Sequence, residues 1–296
     1  MTPIELAAVL FAVSIGAGLL GSLLGLGGGF VVIPVLTLLF GVDIRLAIGA
    51  SVVAVVATSV AAAPANLASG LSNIRVAIFL AMATTIGALT GAWLSGRLDP
   101  RVLYGVFGAV LVFAGAQMAR KLYTDHVPAL ETVALETVAL ETVALETALR
   151  RGGSDRFGLS SSYPDVATGG TVDYKVVHPV LGLSLMYVAG TVGGLLGIGS
   201  GVLKVPAMDV AMRLPLKVSM ATSNLLIGVT AASASLVYLL RGEVDPYLAG
   251  PVAAGVLLGA LAGGRLLPRM RVGVLTWGFL AVMIVVAGEM LWKGLA

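Results

Sequence analysis

The chain has no cysteine among its 296 residues and only two histidines. Disulfides, thiolate metal sites and cysteine catalysis are therefore excluded. His126 and His178 lie in or beside a polar stretch, one per span edge, and make neither a zinc nor a haem site. Charge is also scarce, at 11% of residues against about a quarter in soluble domains. A water-facing surface cannot be built from so little. What is abundant is apolar: 58% of residues are hydrophobic and the mean hydropathy is +1.03. The chain reads as an integral membrane protein. Its net charge of +3 comes from basic residues at segment ends, where they act as topology determinants and not as a nucleic-acid surface. The opening Met1-Thr-Pro-Ile-Glu5 has no Lys or Arg, so no cleaved signal peptide is expected.

The apolar sequence is said twice. Displaced by 172 residues, Gly21-Ser-Leu-Leu-Gly-Leu-Gly-Gly-Gly-Phe-Val-Val-Ile-Pro34 falls on Gly193-Gly-Leu-Leu-Gly-Ile-Gly-Ser-Gly-Val-Leu-Lys-Val-Pro206. The same offset pairs Ser51 with Ser223, Gly87 with Gly259 and Phe107 with Phe279. Internal symmetry around Gly/Pro-interrupted apolar segments is the pattern of secondary transporters. The predicted fold is an all-α polytopic membrane protein with two homologous halves of about four spans each. Residues 1–121 form the first repeat, 122–175 a polar linker, and 176–296 the second repeat.

Spans of about 20 apolar residues are predicted at Ile4–Leu24, Leu46–Ala68, Val76–Gly96 and Val102–Ala119. They recur at Val176–Leu196, Val218–Leu240, Tyr247–Leu267 and Gly273–Leu291. Between the first two spans of each half lies a shorter piece, Phe30–Phe40 and Val202–Met212, read as a half-helix or re-entrant segment. That piece decides whether the halves are parallel or inverted. With the linker inside, Arg75, Arg120, Lys121, Lys175, Arg213, Lys217, Arg265, Arg269 and Arg271 face inward, against Arg45, Arg97, Arg101, Arg241 and Lys293 outward. The count favours inverted halves and a cytoplasmic linker. Within the linker, Ala-Leu-Glu-Thr-Val repeats from Ala129 and places Glu131, Glu136, Glu141 and Glu146 in a spiral around any helix, with no coiled-coil seam. It reads as sequence expansion in a tolerant loop, or as a partner-docking arm. Arg150-Arg151-Gly-Gly-Ser and Ser160–Ser162 read as flexible linker.

Gly16-Ala-Gly18-Leu-Leu-Gly21 matches a dinucleotide fingerprint, but the region is apolar on every side and no such fold is expected. Ala83/Gly87/Gly91 and Gly255/Gly259/Gly263 step by four along one helical face and are read as packing surfaces. The clusters Gly25–Gly29 and Gly197–Gly201 differ. Consecutive glycines each destabilise a helix by up to about 1 kcal/mol. Their freed N–H groups begin a new helix at membrane depth, where an anion is favoured. The candidate substrate-binding residues are Gly27, Gly28, Gly29, Ser51, Gly199, Ser200, Gly201, Lys204, Thr222, Ser223 and Asn224. Lys204 is the sharpest of them, because an intramembrane lysine costs roughly 3 kcal/mol. It either holds an anion, pairs with Asp209 or snorkels to an interface. No cofactor, metal site or nucleotide phosphate loop is expected, and no catalytic constellation lies inside the spans.

Both glycine clusters, with Ala47-Ile-Gly-Ala-Ser51 and Met220-Ala-Thr-Ser-Asn224 after them, resemble the sulfite exporter TauE/SafE family of membrane permeases. The resemblance covers both halves; the long linker departs from the family's compact form. It implies about eight spans from a duplicated four-span unit, and transport of sulfite, sulfonates or related sulfur or carboxylate anions. The function expected is thus an alternating-access exporter of a small anion in the cell (inner) membrane, as a single chain or a homo-oligomer. The rival readings are an anion channel and a non-transporting membrane scaffold whose linker docks a partner.

Overall fold

Backbone groups inside a bilayer find no water, so long apolar runs satisfy them internally as helices. The computed structural model describes residues 3–24, 28–68, 70–124, 158–165, 170–266 and 272–295. The first half comprises α1 (Pro3–Leu24), the short α2 (Gly29–Pro34) continued by a π-helical turn Val35–Leu39, α3 (Ile44–Ala68), α4 (Ile74–Ser95) and α5 (Pro100–Thr124). After two strands, β1 (Ser161–Asp165) and β2 (Gly170–Tyr174), the second half repeats the series. It has α6 (Pro179–Leu196), α7 (Gly201–Pro206) with a π-helical turn Ala207–Ala211, α8 (Leu216–Leu240), α9 (Pro246–Leu266) and α10 (Val272–Leu295). Among the described residues, α3, α4, α5, α6 and α8 each carry an apolar window of at least 18 residues, enough to cross a membrane. The predicted spans match these helices to within a few residues at each end.

The halves interlock. Helix α1 packs on α9, α4 on α6 and α5 on α10, while α3 and α8 meet in the centre. Small residues make the close approaches possible. Gly87 and Gly91 lie on the backbone of Tyr187–Leu195, and Gly255 and Gly259 on that of Phe11–Leu19. Of the predicted packing faces, Gly87, Gly91, Gly255 and Gly259 are used in this way.

The short helices turn back. Gly193 packs on Ser200, while further down Gly182 packs on Met212, and Val177 N donates to Met212 O at 3.1 Å. The segment 201–212 therefore runs antiparallel to α6 and ends beside its start. In the first half, Val42 N donates to Leu36 O at 3.0 Å, and the same bond recurs from Leu214 N to Met208 O at 3.2 Å. Each half thus has a broken hairpin followed by three long helices.

Polar residues collect at the two ends of the bundle. At one end Arg45 donates to Leu98 O, Arg241 to Ala92 O and to Glu243, and Lys293 to Thr37 O. At the other, the linker end, Asn73 caps α4 by accepting from Val76 N at 3.0 Å. Its side-chain amide donates to Leu159 O at 2.9 Å and to the Tyr174 hydroxyl at 2.7 Å. Here the structure corrects the reading of Ser160–Ser162 as flexible linker. Ser161 and Ser162 belong to β1, which pairs antiparallel with β2 from Ser161↔Tyr174 to Asp165↔Gly170. Leu159 and Tyr163 are buried in an apolar cluster with Val76, Met208, Met212 and Leu214, so helix ends hold the hairpin in place. Burial raises the Tyr174 phenol above its usual pKa, against the opposing pull of hydrogen bonds with Asn73 and Ser161. The pentapeptide array and His126 lie outside the described residues; His178 is exposed.

Candidate functional site

A run of glycines lets the chain reverse inside the bundle. In the second half, Gly197 (φ 67°), Gly199 (φ 75°) and Ser200 (φ 56°) are all left-handed. That conformation is cheap for glycine and costly for serine. The Ser200 hydroxyl donates to Gly199 O at 2.8 Å, and its side chain sits against Gly193, where any larger residue would collide. Ser200 and Gly201 are buried. In the first half Gly28 is right-handed, and its carbonyl accepts from Val31 N and Val32 N at 3.2 Å. Both breaks lie beside the middle of the central helices: Gly28 against Thr58, Gly199 against Val55 and Ile227.

The two hairpins meet there. Ser51 of α3 donates to Gly197 O at 2.9 Å, and a Cβ on Gly29 would come within 2.6 Å of Ser51 Oγ and 3.0 Å of Gly197 O. Glycine at 29 is therefore a condition of the contact. Of the predicted site residues, Gly28, Gly29, Ser51, Gly199, Ser200 and Gly201 converge around this crossing; Gly27 lies outside the described residues.

Lys204 is fully buried, with 0% exposure. Snorkelling is thereby ruled out, and among the described residues no carboxylate pairs with it, Asp209 included. Its ammonium donates to Gly199 O at 3.1 Å, Leu226 O at 3.3 Å and Thr230 Oγ1 at 2.6 Å. All three protons of the ammonium thus have acceptors, and all three acceptors are neutral. No carboxylate stands opposite the amine among the described residues, so a charge on it would be solvated by dipoles alone. The repeat counterpart of Lys204 is Val32, also buried, so an ionisable side chain stands at this position in one half and an apolar one in the other.

Ser223 presents the complementary case. Its hydroxyl is buried, the residue being 1% exposed, and has no hydrogen-bond partner among the described residues. Ser223, Ile227 and Thr230 share one face of α8, the face turned toward the second break. Thr222 and Asn224, though adjacent in sequence, do different work. Thr222 Oγ1 accepts from Asn73 N at 3.1 Å and ties α8 to the α3–α4 turn. Asn224 offers its carbonyl oxygen to Ser59 Oγ at 2.8 Å, joining α8 to α3.

Thr230 is the residue that the sequence-based site set omits. It donates to Leu226 O at 2.5 Å while accepting from Lys204, and so orients two of the three oxygens around the ammonium. A signal was present: Thr230 is the repeat counterpart of Thr58, which also bonds back to its own helix, to Val55 O three residues earlier at 2.8 Å.

Comparison with known proteins agrees with this architecture. The family model described as sulfite exporter TauE/SafE matches residues 10–290, and the chain belongs to that family. It is 24% identical over 294 residues to "Probable membrane transporter protein YunE" of Bacillus subtilis (strain 168), covering 97% of this chain and 98% of the relative. A "Probable membrane transporter protein" of Xylella fastidiosa (strain 9a5c) is 27% identical over 292 residues, with 96% of each chain covered. No solved structure matches.

Proposed function

With the chain a member of the TauE/SafE family, we propose that this membrane transporter is a secondary carrier of a small sulfur-containing anion such as sulfite. The observation that carries this reading is the crossing of two glycine-broken hairpins beside one buried, uncompensated lysine. A buried cation whose hydrogen bonds all go to neutral oxygens leaves a net positive potential at the break. That potential favours an anion beside the Ser223 hydroxyl and the first N–H groups of the segment that starts at Gly201. Lys204 then acts as a fixed charge, because its own protons already have acceptors. Ser51 and the glycines at 28, 29 and 199 shape the crossing, while Thr222 and Asn224 hold α8 in place.

We further infer that the halves are inverted repeats. A hairpin that returns to its starting side adds no crossing, so three crossings remain per half, and an odd number turns the second half over. Both termini then share one face and the linker the other. The basic residues concentrate on the linker side, which supports a cytoplasmic linker in a cell-membrane protein.

The test is uptake of radiolabelled sulfite into proteoliposomes, with sulfate, thiosulfate and small organic acids as competitors. Saturable flux competed by one anion class is expected. Unimpaired flux, measured in choline chloride free of sodium and lithium, in a variant carrying both Lys204→Ala and Ser223→Ala would overturn the site. Conductance far above carrier turnover would point to a channel instead.

A further inference from the structure

The environment of Lys204 is that of a bound cation. A carbonyl oxygen of the broken hairpin (Gly199), one from the middle of a helix (Leu226) and a threonine hydroxyl (Thr230) converge on the ammonium nitrogen at 2.6 to 3.3 Å. Backbone carbonyls freed where a helix unwinds are ligands with which transporters hold a coupling cation near the midplane, and Gly199 O is such a group. In a helix of this kind the Leu226 carbonyl would ordinarily serve only residue 230. Here it accepts from both the Thr230 hydroxyl and Lys204.

We propose that Gly199 O, Leu226 O and Thr230 Oγ1 form a monovalent cation site of the sodium type, which the Lys204 ammonium fills as a tethered ion. The oxygens are hard and neutral, which suits an alkali cation and offers little to softer metals. A single charge is indicated because the resident group carries one charge and no carboxylate joins the ligand set among the described residues. The native protein therefore carries its cation covalently, and transport needs no dissolved sodium. Removing the side chain empties the site for a free ion.

This inference rests on the transport reading only for that last functional consequence; occupancy of the site is tested without any substrate. Thermal unfolding of the purified wild type and of Lys204→Ala is followed in NaCl, LiCl and choline chloride at equal ionic strength. A free ion that binds only the folded state raises the unfolding temperature with the logarithm of its concentration. The expected result is a rise that grows with the logarithm of Na⁺ or Li⁺ concentration in Lys204→Ala, none in the wild type, and none when Thr230→Val is added. Should Lys204→Ala aggregate in choline, purification in NaCl is expected to yield it monodisperse. No sodium effect in folded Lys204→Ala, the same effect in wild type, or aggregation in every salt overturns the proposal. In proteoliposomes, loss of anion flux by Lys204→Ala in choline and its return in NaCl is the functional counterpart. If the unfolding shift is seen while no anion is carried by the wild type, the cation site stands and the carrier reading falls.

Discussion

Ser51 donates its hydroxyl hydrogen to the carbonyl oxygen of Gly197, 2.9 Å away and 146 positions further along the chain. The bond joins the central helix of the first half to the hairpin tip of the second. Its counterpart residue, Ser223, is equally buried and makes no such bond. Two serines at equivalent positions of the sequence repeat thus differ: one is spent on a buried hydrogen bond, and the other has no partner among the described residues.

Ser51→Ala should therefore lose stability, and Ser223→Ala should not. Removing Ser51 leaves Gly197 O without this buried partner, at a cost of about 1–3 kcal/mol. Removing the Ser223 hydroxyl strips out an unpartnered polar atom and should leave the unfolding temperature unchanged or raised. Flux should follow the opposite order, with Ser223→Ala raising KM for the anion. Thermal unfolding beside initial-rate uptake separates the two. Equal destabilisation by both variants would refute the division of labour.

Gly29→Ala should abolish transport. The added methyl would fall 2.6 Å from Ser51 Oγ and 3.0 Å from Gly197 O, and neither can retreat without opening the crossing. Gly16→Ala is the control, since a Cβ there meets nothing within 4 Å. Replacing an exposed helical glycine should stabilise by up to about 1 kcal/mol. Uptake at wild-type rate by Gly29→Ala would show that the hairpins do not touch in the working cycle.

At the linker end, Asn73→Asp and Asn73→Ala should differ. Aspartate keeps the cap on Val76 N but loses the donor to Leu159 O and Tyr174; alanine loses both. Limited proteolysis at residues 158–174 is expected to speed up in both variants. The loss of unfolding temperature should be greater in alanine, by roughly the 0.5–2 kcal/mol of a helix cap. Deletion of residues 130–149 should leave uptake intact; its loss would favour the scaffold reading.

The orientation of the halves has its own test, made simple by the absence of native cysteine. Asp173→Cys and Tyr247→Cys each place a single thiol at an exposed position, one at each end of the bundle. In intact cells a membrane-impermeant maleimide should label position 247 and spare 173. Labelling of both from the same side would remove the inverted arrangement.

Much of this was legible along the chain. Span positions follow from apolar runs bounded by Pro, Asn and Asp, and the glycine faces from their four-residue spacing; both depend on local periodicity alone. The breaks before Gly29 and before Gly201 were visible because consecutive glycines disfavour a helix, and the repeat puts both at the same register. Ser160–Ser162 shows the limit. Its serines suit a flexible linker as well as a strand edge, and only Asn73, Leu159 and the helix ends around them select the strand.

By itself, then, the sequence determined that this is a duplicated membrane protein, where its helices run and where they break. Those are properties of short stretches of chain in a bilayer. The tertiary structure alone decided that the short helices turn back, and which oxygens receive Lys204. It also decided that Ser51 is spent on Gly197 while Ser223 is not. Each of those depends on groups 22 to 146 positions apart meeting at one depth. A local pattern cannot carry that information, because the same serine or lysine is read identically whatever lies across from it.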